Sequence, residues 1–225
     1  MTQRDSLAAH PGDAGWHEPR WPASLALLVC AGLYMVLPAR LIFGPRWLIP
    51  ALEVIPVLTI NAFHPRRHPE EARIARVATI ALIAVLNFFN LASILSLVGE
   101  LLNGHVKDGR ELVYAAVLVW LTNVIVFALW FWELDRGGPG VRRTVHERLP
   151  DFLYPQMTDA RWAPENWEPS FVDYLYLAFT NATAFSPTDA MPLTAWAKTL
   201  MAVESTASLV TVVVVAARAV NILQS

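Results

Sequence analysis

The residues of this sequence best suited to chemistry are polar side chains set within apolar segments. Near the C-terminus, Glu204, Ser208, Thr211 and Arg218 follow one another at spacings of four, three and seven residues, so they share one face of a helix otherwise rich in Ala, Val and Leu. An ionisable side chain in such a helix marks a functional site by default. Two roles stay open for Glu204: it lines a water-filled path, or it braces a neighbouring segment through hydrogen bonds.

A second polar group follows a short apolar run. Its residues are Thr183, Ala184, Phe185, Ser186, Pro187, Thr188 and Asp189. The run before it begins at Ser170, which suits a helix N-cap with Asp173 at the third helical position. A helix over 170–182 is roughly 20 Å long at 1.5 Å per residue, too short to cross a bilayer. Non-helical backbone at membrane depth is tolerated only where protein buries it or where it lines a water-filled cavity.

The elements that must position these residues are apolar helices. Of the 225 residues 55% are hydrophobic and 16% are charged, and the mean hydropathy is +0.41, values typical of a membrane protein. Five segments approach the ~20 residues that a membrane-spanning helix needs. They are 21–39, 47–63, 77–99, 112–132 and 199–217, and their only charged residues are Glu53 and Glu204. The sequence therefore predicts an all-α integral membrane protein with about five transmembrane helices.

Two further expectations concern the segments between and within these helices. The stretch 141–154 places Val145, Leu149, Phe152 and Leu153 on one apolar stripe, which predicts an interfacial amphipathic helix whose Arg142 faces water or headgroups. Asn87 and Asn90 share a face of the third apolar segment. Amides in such a position are expected to hydrogen-bond to neighbouring helices.

Charge and cysteine usage exclude several functions. The net charge of −2 offers no basic surface for nucleic acid, and the single cysteine, Cys30, allows neither an intrachain disulfide nor a cysteine-based metal site. His64 and His68 stand beside Pro65 and Pro69, which favours a solvated loop over a helical metal site. Neither a nucleophile with its base nor a phosphate-binding loop is recognisable. We therefore expect no enzyme activity, no metal and no cofactor.

The stretch 180–198 resembles, without a gap, the filter region of the two-span potassium-channel pore module. The matching positions are Thr183, Asp189, Pro192, Thr194, Trp196 and Lys198. The resemblance implies an outer helix over 112–133, a connection over 134–169, a re-entrant pore helix over 170–182, a filter-like loop over 183–189 and an inner helix over 195–221. This pore module would occupy 111–225, after a polar tail over 1–20 and a three-helix membrane region over 21–110. It also implies a homotetramer around a central axis in the plasma membrane.

The filter-like loop departs from the family in one respect. Phe185, Ser186, Pro187 and Thr188 stand where the family has V-G-Y-G, and without glycine the ring of carbonyl sites is not expected to form. We therefore expect a cation channel or pore without standard potassium selectivity, with the lipid bilayer, monovalent cations and copies of itself as partners. The alternatives are a non-conducting membrane scaffold that retains the fold and, less favoured, a membrane enzyme or transporter.

Charge distribution and family resemblance predict opposite orientations. Twelve of the 17 basic residues fall on the side of the N-terminal tail and of the long connection before the pore helix. The excess of Lys and Arg in cytoplasmic loops places that side in the cytoplasm. The resemblance instead implies an extracellular entry to the pore.

Overall fold

The structure is a computed structural model that describes residues 21–42, 45–47, 50–51, 69–102, 109–139, 141–142, 148–159, 161–163, 167–183 and 190–223. Five α-helices account for most of these residues: α1 (Trp21–Val36), α2 (Pro69–Leu102), α3 (Gly109–Leu134), α4 (Phe171–Thr183) and α5 (Ala195–Leu223). Short 3₁₀ turns lie at Ala39–Leu41 after α1, at Asp135–Gly137 after α3, and at Pro155–Met157. Strands β1 (Phe152–Leu153) and β2 (Met191–Pro192) pair antiparallel, with Phe152 opposite Pro192.

Three helices are long and apolar enough to cross a membrane. Their spans are Arg76–Leu101 in α2, Arg110–Gly137 from α3, and Ala195–Ala217 in α5, and they coincide with three of the five predicted segments. These spans confirm a helical protein compatible with membrane insertion. The first predicted segment forms the shorter 16-residue α1, which ends two residues before Pro38. Most of 47–63, including Glu53, lies outside the described residues.

Helix α3 is the centre of the bundle, because it packs against α1, α2, α4 and α5. Of the apolar 18-residue stretch of α3, 61% is buried inside the chain, compared with 39% for the corresponding stretch of α2 and 28% for that of α5. Phe127 and Phe131 on α3 are fully buried, and Phe131 packs against Phe152 of β1. The outer face of α5 is therefore left largely uncovered by the described residues.

The predicted helix over 141–154 is wrong for the part that the structure describes. Residues 152–153 form β1, and Phe152 is fully buried while Leu149 is 85% exposed, so the two do not share an apolar face. Arg142, expected at the water interface, is only 1% exposed. The fold-back that causes this starts at Gly137 and Gly138, whose φ angles of 89° and 92° end the preceding helix and reverse the chain.

The predicted pore-helix and inner-helix segments form helices with nearly the expected bounds. α4 has 13 residues and ends at Thr183, one residue later than predicted, and α5 begins at Ala195 as expected. At the start of α4, the Ser170 backbone N–H donates to Asp173 Oδ2 at 2.8 Å and its hydroxyl to the same oxygen at 2.7 Å. Asp173 thus accepts hydrogen bonds from the N-cap serine, as its position predicted.

Candidate functional site

The filter-like loop is described only at its first residue. Thr183 is the last residue of α4, and its hydroxyl donates to the Thr180 carbonyl oxygen at 2.9 Å. The other predicted loop residues lie outside the described part of the chain: Ala184, Phe185, Ser186, Pro187, Thr188 and Asp189. The backbone of Arg218 belongs to α5, whereas its side chain also lies outside what is described.

The polar stripe of α5 points into the chain's own core. Glu204 and Ser208 have no exposed surface, and Thr211 is 2% exposed. The burial is provided by helices of the same chain, since α5 packs on α3 and α4. The stripe therefore does not face outward from a single chain, and the arrangement corresponds to the bracing role for Glu204.

Glu204 is bonded to the last turn of α4. The Asn181 side-chain amide donates to Glu204 Oε2 at 2.7 Å and to the Met201 carbonyl oxygen at 2.9 Å. The Ser205 hydroxyl in turn lies 3.1 Å from both the carbonyl oxygen and Oδ1 of Asn181. These contacts fasten the C-terminal end of α4 to α5 at a point nine residues after Ala195. That is roughly 14 Å along the helix, about half of a ~30 Å hydrocarbon core.

A line of buried amides continues from this point across the bundle. Asn123 on α3 donates through Nδ2 to Ser208 Oγ at 2.9 Å and receives at Oδ1 a hydrogen bond from Asn90 on α2 at 3.0 Å. The expectation of a hydrogen bond to a neighbouring helix is confirmed for Asn90, whereas Asn87 Oδ1 is buried without a hydrogen-bond partner among the described residues. Asn123 was missed, although it carries the same signal as Asn90: an amide in an uncharged apolar segment must find a partner.

A second polar group lies where α3 ends and was not predicted. We call it the loop cluster: Asp135, Arg136, Arg142, Asp151, Glu168 and Tyr174. At its centre Asp135 has no exposed surface and accepts a hydrogen bond from the Tyr174 hydroxyl at 2.6 Å. Arg142 lies 3.6 Å from the same carboxylate, donates to the Tyr174 oxygen and to the Trp132 carbonyl, and stacks 5.0 Å from the Tyr174 ring centroid.

The outer part of the loop cluster joins four chain segments. Arg136 contacts Glu168 through two hydrogen bonds of 3.2 and 2.5 Å, a bidentate geometry that holds the segment before α4. Asp151 accepts hydrogen bonds from the Arg136 backbone N–H at 2.8 Å and from the Trp196 indole N–H at 3.0 Å. The cluster therefore ties the end of α3 to β1, to the start of α4 and to the first turn of α5.

Aromatic rings surround the centre of the loop cluster. Tyr154 packs edge-on against Tyr174 with ring centroids 5.8 Å apart, and Phe152 packs similarly against Trp196 at 5.7 Å. Burial and the nearby Asp135 charge raise the pKa of the Tyr154 hydroxyl well above its usual range. Tyr154 therefore stays neutral beside the two central charges.

Neither polar group has the composition of a metal or cofactor site. Within the part of the chain that the structure describes, no three His, Cys, Asp or Glu side chains come together to hold a metal ion. His64 and His68 lie outside that part. No family model, curated protein or solved structure matches this chain.

Proposed function

We propose that the chain is an ion-channel-like integral membrane protein of the plasma membrane, a homotetrameric cation channel or pore without standard potassium selectivity. Its pore would be formed by α4, the segment 184–189 and α5. The observation that supports this most is the attachment of Asn181 at the end of α4 to Glu204, near the middle of the apolar span Ala195–Ala217 of α5. A short helix that ends beside the middle of a spanning helix fits one that enters a membrane and stops there.

The return of the chain supports the same proposal. Between Thr183, at the level of mid-α5, and β2, just before the start of α5, there are only seven residues, 184–190. A connection of this length fits a re-entrant loop rather than a second crossing. The C-terminal end of α4 carries partial negative charge from its helix dipole, and four such ends around an axis would favour cations. Asp189 would add a carboxylate at the mouth of each loop.

Burial of the predicted polar stripe changes which face of α5 lines the path. Because Glu204, Ser208 and Thr211 are enclosed by their own chain, the lining is proposed for the exposed side of α5. That side carries Thr199, Ala202, Thr206, Val210 and Val213, which follow one another at helical spacings of three and four. Two threonines lie nearer the start of α5 and two valines lie deeper along it, so the lining of the path changes from polar to apolar. An apolar constriction can close by dewetting.

The second candidate is a non-conducting scaffold with the same fold. It is favoured by the absence of glycine from 183–189, because a channel filter uses backbone conformations that glycine adopts most readily. In that case the α4–α5 attachment and the loop cluster would serve only to hold the shape of the chain.

The accessibility of cysteines introduced on α5 distinguishes the channel from the non-conducting scaffold. In a Cys30→Ser background, Thr206→Cys should react with a membrane-impermeant thiol reagent in liposomes, and the reaction should reduce ion flux. Ser208→Cys is the matched control, since Ser208 is fully buried and should stay unmodified. Protection of Thr206→Cys, or modification without any effect on flux, would contradict a lining role for this face.

A further inference from the structure

The Glu204 carboxyl is buried with only one of its oxygens bonded. Oε2 accepts the hydrogen bond from Asn181 at 2.7 Å, whereas Oε1 is enclosed and has no hydrogen-bond partner among the described residues. The side chain as a whole has no exposed surface. A carboxylate in this position would lack the two or three donors that normally satisfy a buried negative charge.

Among the residues that the structure describes, no cation compensates a charge on Glu204. The contacts that Glu204 makes with α3 and α4 come from neutral amides: Asn181 donates to its Oε2 at 2.7 Å, and Asn123 donates to its backbone carbonyl oxygen at 3.4 Å. No ion pair to Glu204 occurs in the described parts of the chain. The other ionisable groups of the helices around it lie at least five residues away from these positions along their own helices. They are Glu70, Glu71, Arg73, Arg76 and Glu100 on α2, Arg110, Glu111, Tyr114 and Glu133 on α3, Asp173, Tyr174 and Tyr176 on α4, and Lys198 and Arg218 on α5.

From this geometry we propose that Glu204 is a proton-binding site, whose neutral carboxyl holds the C-terminal end of α4 against α5. A protonated carboxyl removes the uncompensated charge from the core and still accepts the Asn181 hydrogen bond through its carbonyl oxygen. Its O–H also gives the enclosed group one donor. The proton is the ligand, and it exchanges with water by ordinary acid–base equilibrium.

Loss of the proton has a defined structural consequence. It places a bare charge between α3, α4 and α5, and that charge is relieved most directly by separating the last turn of α4 from α5 so that water enters. This turn contains Asn181 and Thr183 and leads directly into 184–189. Proton release is therefore expected to loosen the last turn of α4. The inference concerns packing within one chain and does not depend on conduction.

Infrared spectroscopy of the purified full-length protein in detergent tests the proposal. At neutral pH a protonated carboxyl should give a C=O stretching band separate from the bands of ionised carboxylates, and Glu204→Gln should abolish it. Glu111→Gln is the matched control, because Glu111 is 42% exposed and pairs with Arg40 at 2.8 Å, so its removal should leave the band unchanged. The proposal fails if the wild-type protein shows no such band or if the band survives in Glu204→Gln.

Thermal unfolding gives a second readout. Because the folded chain binds a proton that the unfolded chain releases, the stability of the wild-type protein should fall as the pH is raised from mildly acidic to alkaline. In Glu204→Gln the stability should depend much less on pH. If Glu204→Gln does not assemble, Glu204→Asp retains an ionisable group, and the carboxyl band should persist at a shifted frequency. A stabilisation by sodium that requires Glu204 would instead identify a cation site and overturn the proposal.

Discussion

Tyr174 connects two buried charges whose positions were not apparent from the sequence. Its hydroxyl donates to Asp135 and accepts from Arg142, and both charged side chains are almost completely enclosed. Asp135 and Arg142 are separated by a glycine turn, and Tyr174 lies more than 30 residues further on. Neither helical nor strand periodicity relates such positions. Only the fold-back of the chain brings these three residues together.

Tyr174→Phe should destabilise the protein, because it removes the hydroxyl that bridges Asp135 and Arg142 while preserving the aromatic ring. The expected loss is about 1–3 kcal/mol in the free energy of unfolding, the range for an unsatisfied buried polar group. Chemical or thermal unfolding in detergent measures it. Tyr176→Phe, at a ring that is 55% exposed, is the control and should change little. Equal effects of the two substitutions would show that the buried cluster does not stabilise the fold.

Glu204 shows how far the sequence predicts a site at the scale of a residue. Its spacing from Ser208 and Thr211 correctly placed all three on one face of one helix. The direction of that face depends on α3, which offers Asn123 as a partner for Ser208, and this is a tertiary contact that spacing alone does not specify. The structure directs the face inward, towards α3 and α4.

At the scale of elements, patterns of nearby residues predicted the helices but gave a wrong helix within the long connection 134–169. The start of α4 follows from Ser170 and Asp173, which are only three residues apart in the sequence. β1 consists of two residues that pair with β2 about 40 positions later, so no local pattern identifies it. The apolar spacing in 141–154 resembled an amphipathic helix because Phe152 and Leu149 fit its period, yet Phe152 is held by contacts with α3 and α5.

The turn after α3 should be sensitive to Gly138→Ala. Gly138 has a φ of 92°, and a Cβ there would lie 2.7 Å from the Glu133 carbonyl oxygen. The strain of a positive φ at a non-glycine residue, of order 1–3 kcal/mol, should appear as a lower melting temperature. Gly32→Ala is the matched control, since a Cβ there meets nothing within 4 Å and alanine favours helix by up to about 1 kcal/mol. A neutral Gly138→Ala would show that the turn is not required.

At the scale of the whole molecule, the least buried spanning helix is the one proposed to meet other chains. Within one chain, 28% of the apolar 18-residue stretch of α5 is buried, compared with 61% for that of α3. A single α4 and its loop cannot enclose a path, so the proposed function requires several copies around an axis. Native mass spectrometry of the detergent-solubilised protein should therefore give a tetramer. A population of monomers alone would contradict the proposed assembly.

Ion flux through the purified protein in liposomes tests the central proposal most directly. With a series of monovalent cations as the permeant ion, we expect flux above that of protein-free liposomes and similar rates for potassium and sodium, because 183–189 contains no glycine to form the carbonyl sites of a potassium filter. Thiol modification of Thr206→Cys should reduce that flux. The absence of flux from a correctly assembled tetramer would contradict the channel proposal and favour the scaffold, and a strong preference for potassium would contradict the account of the loop.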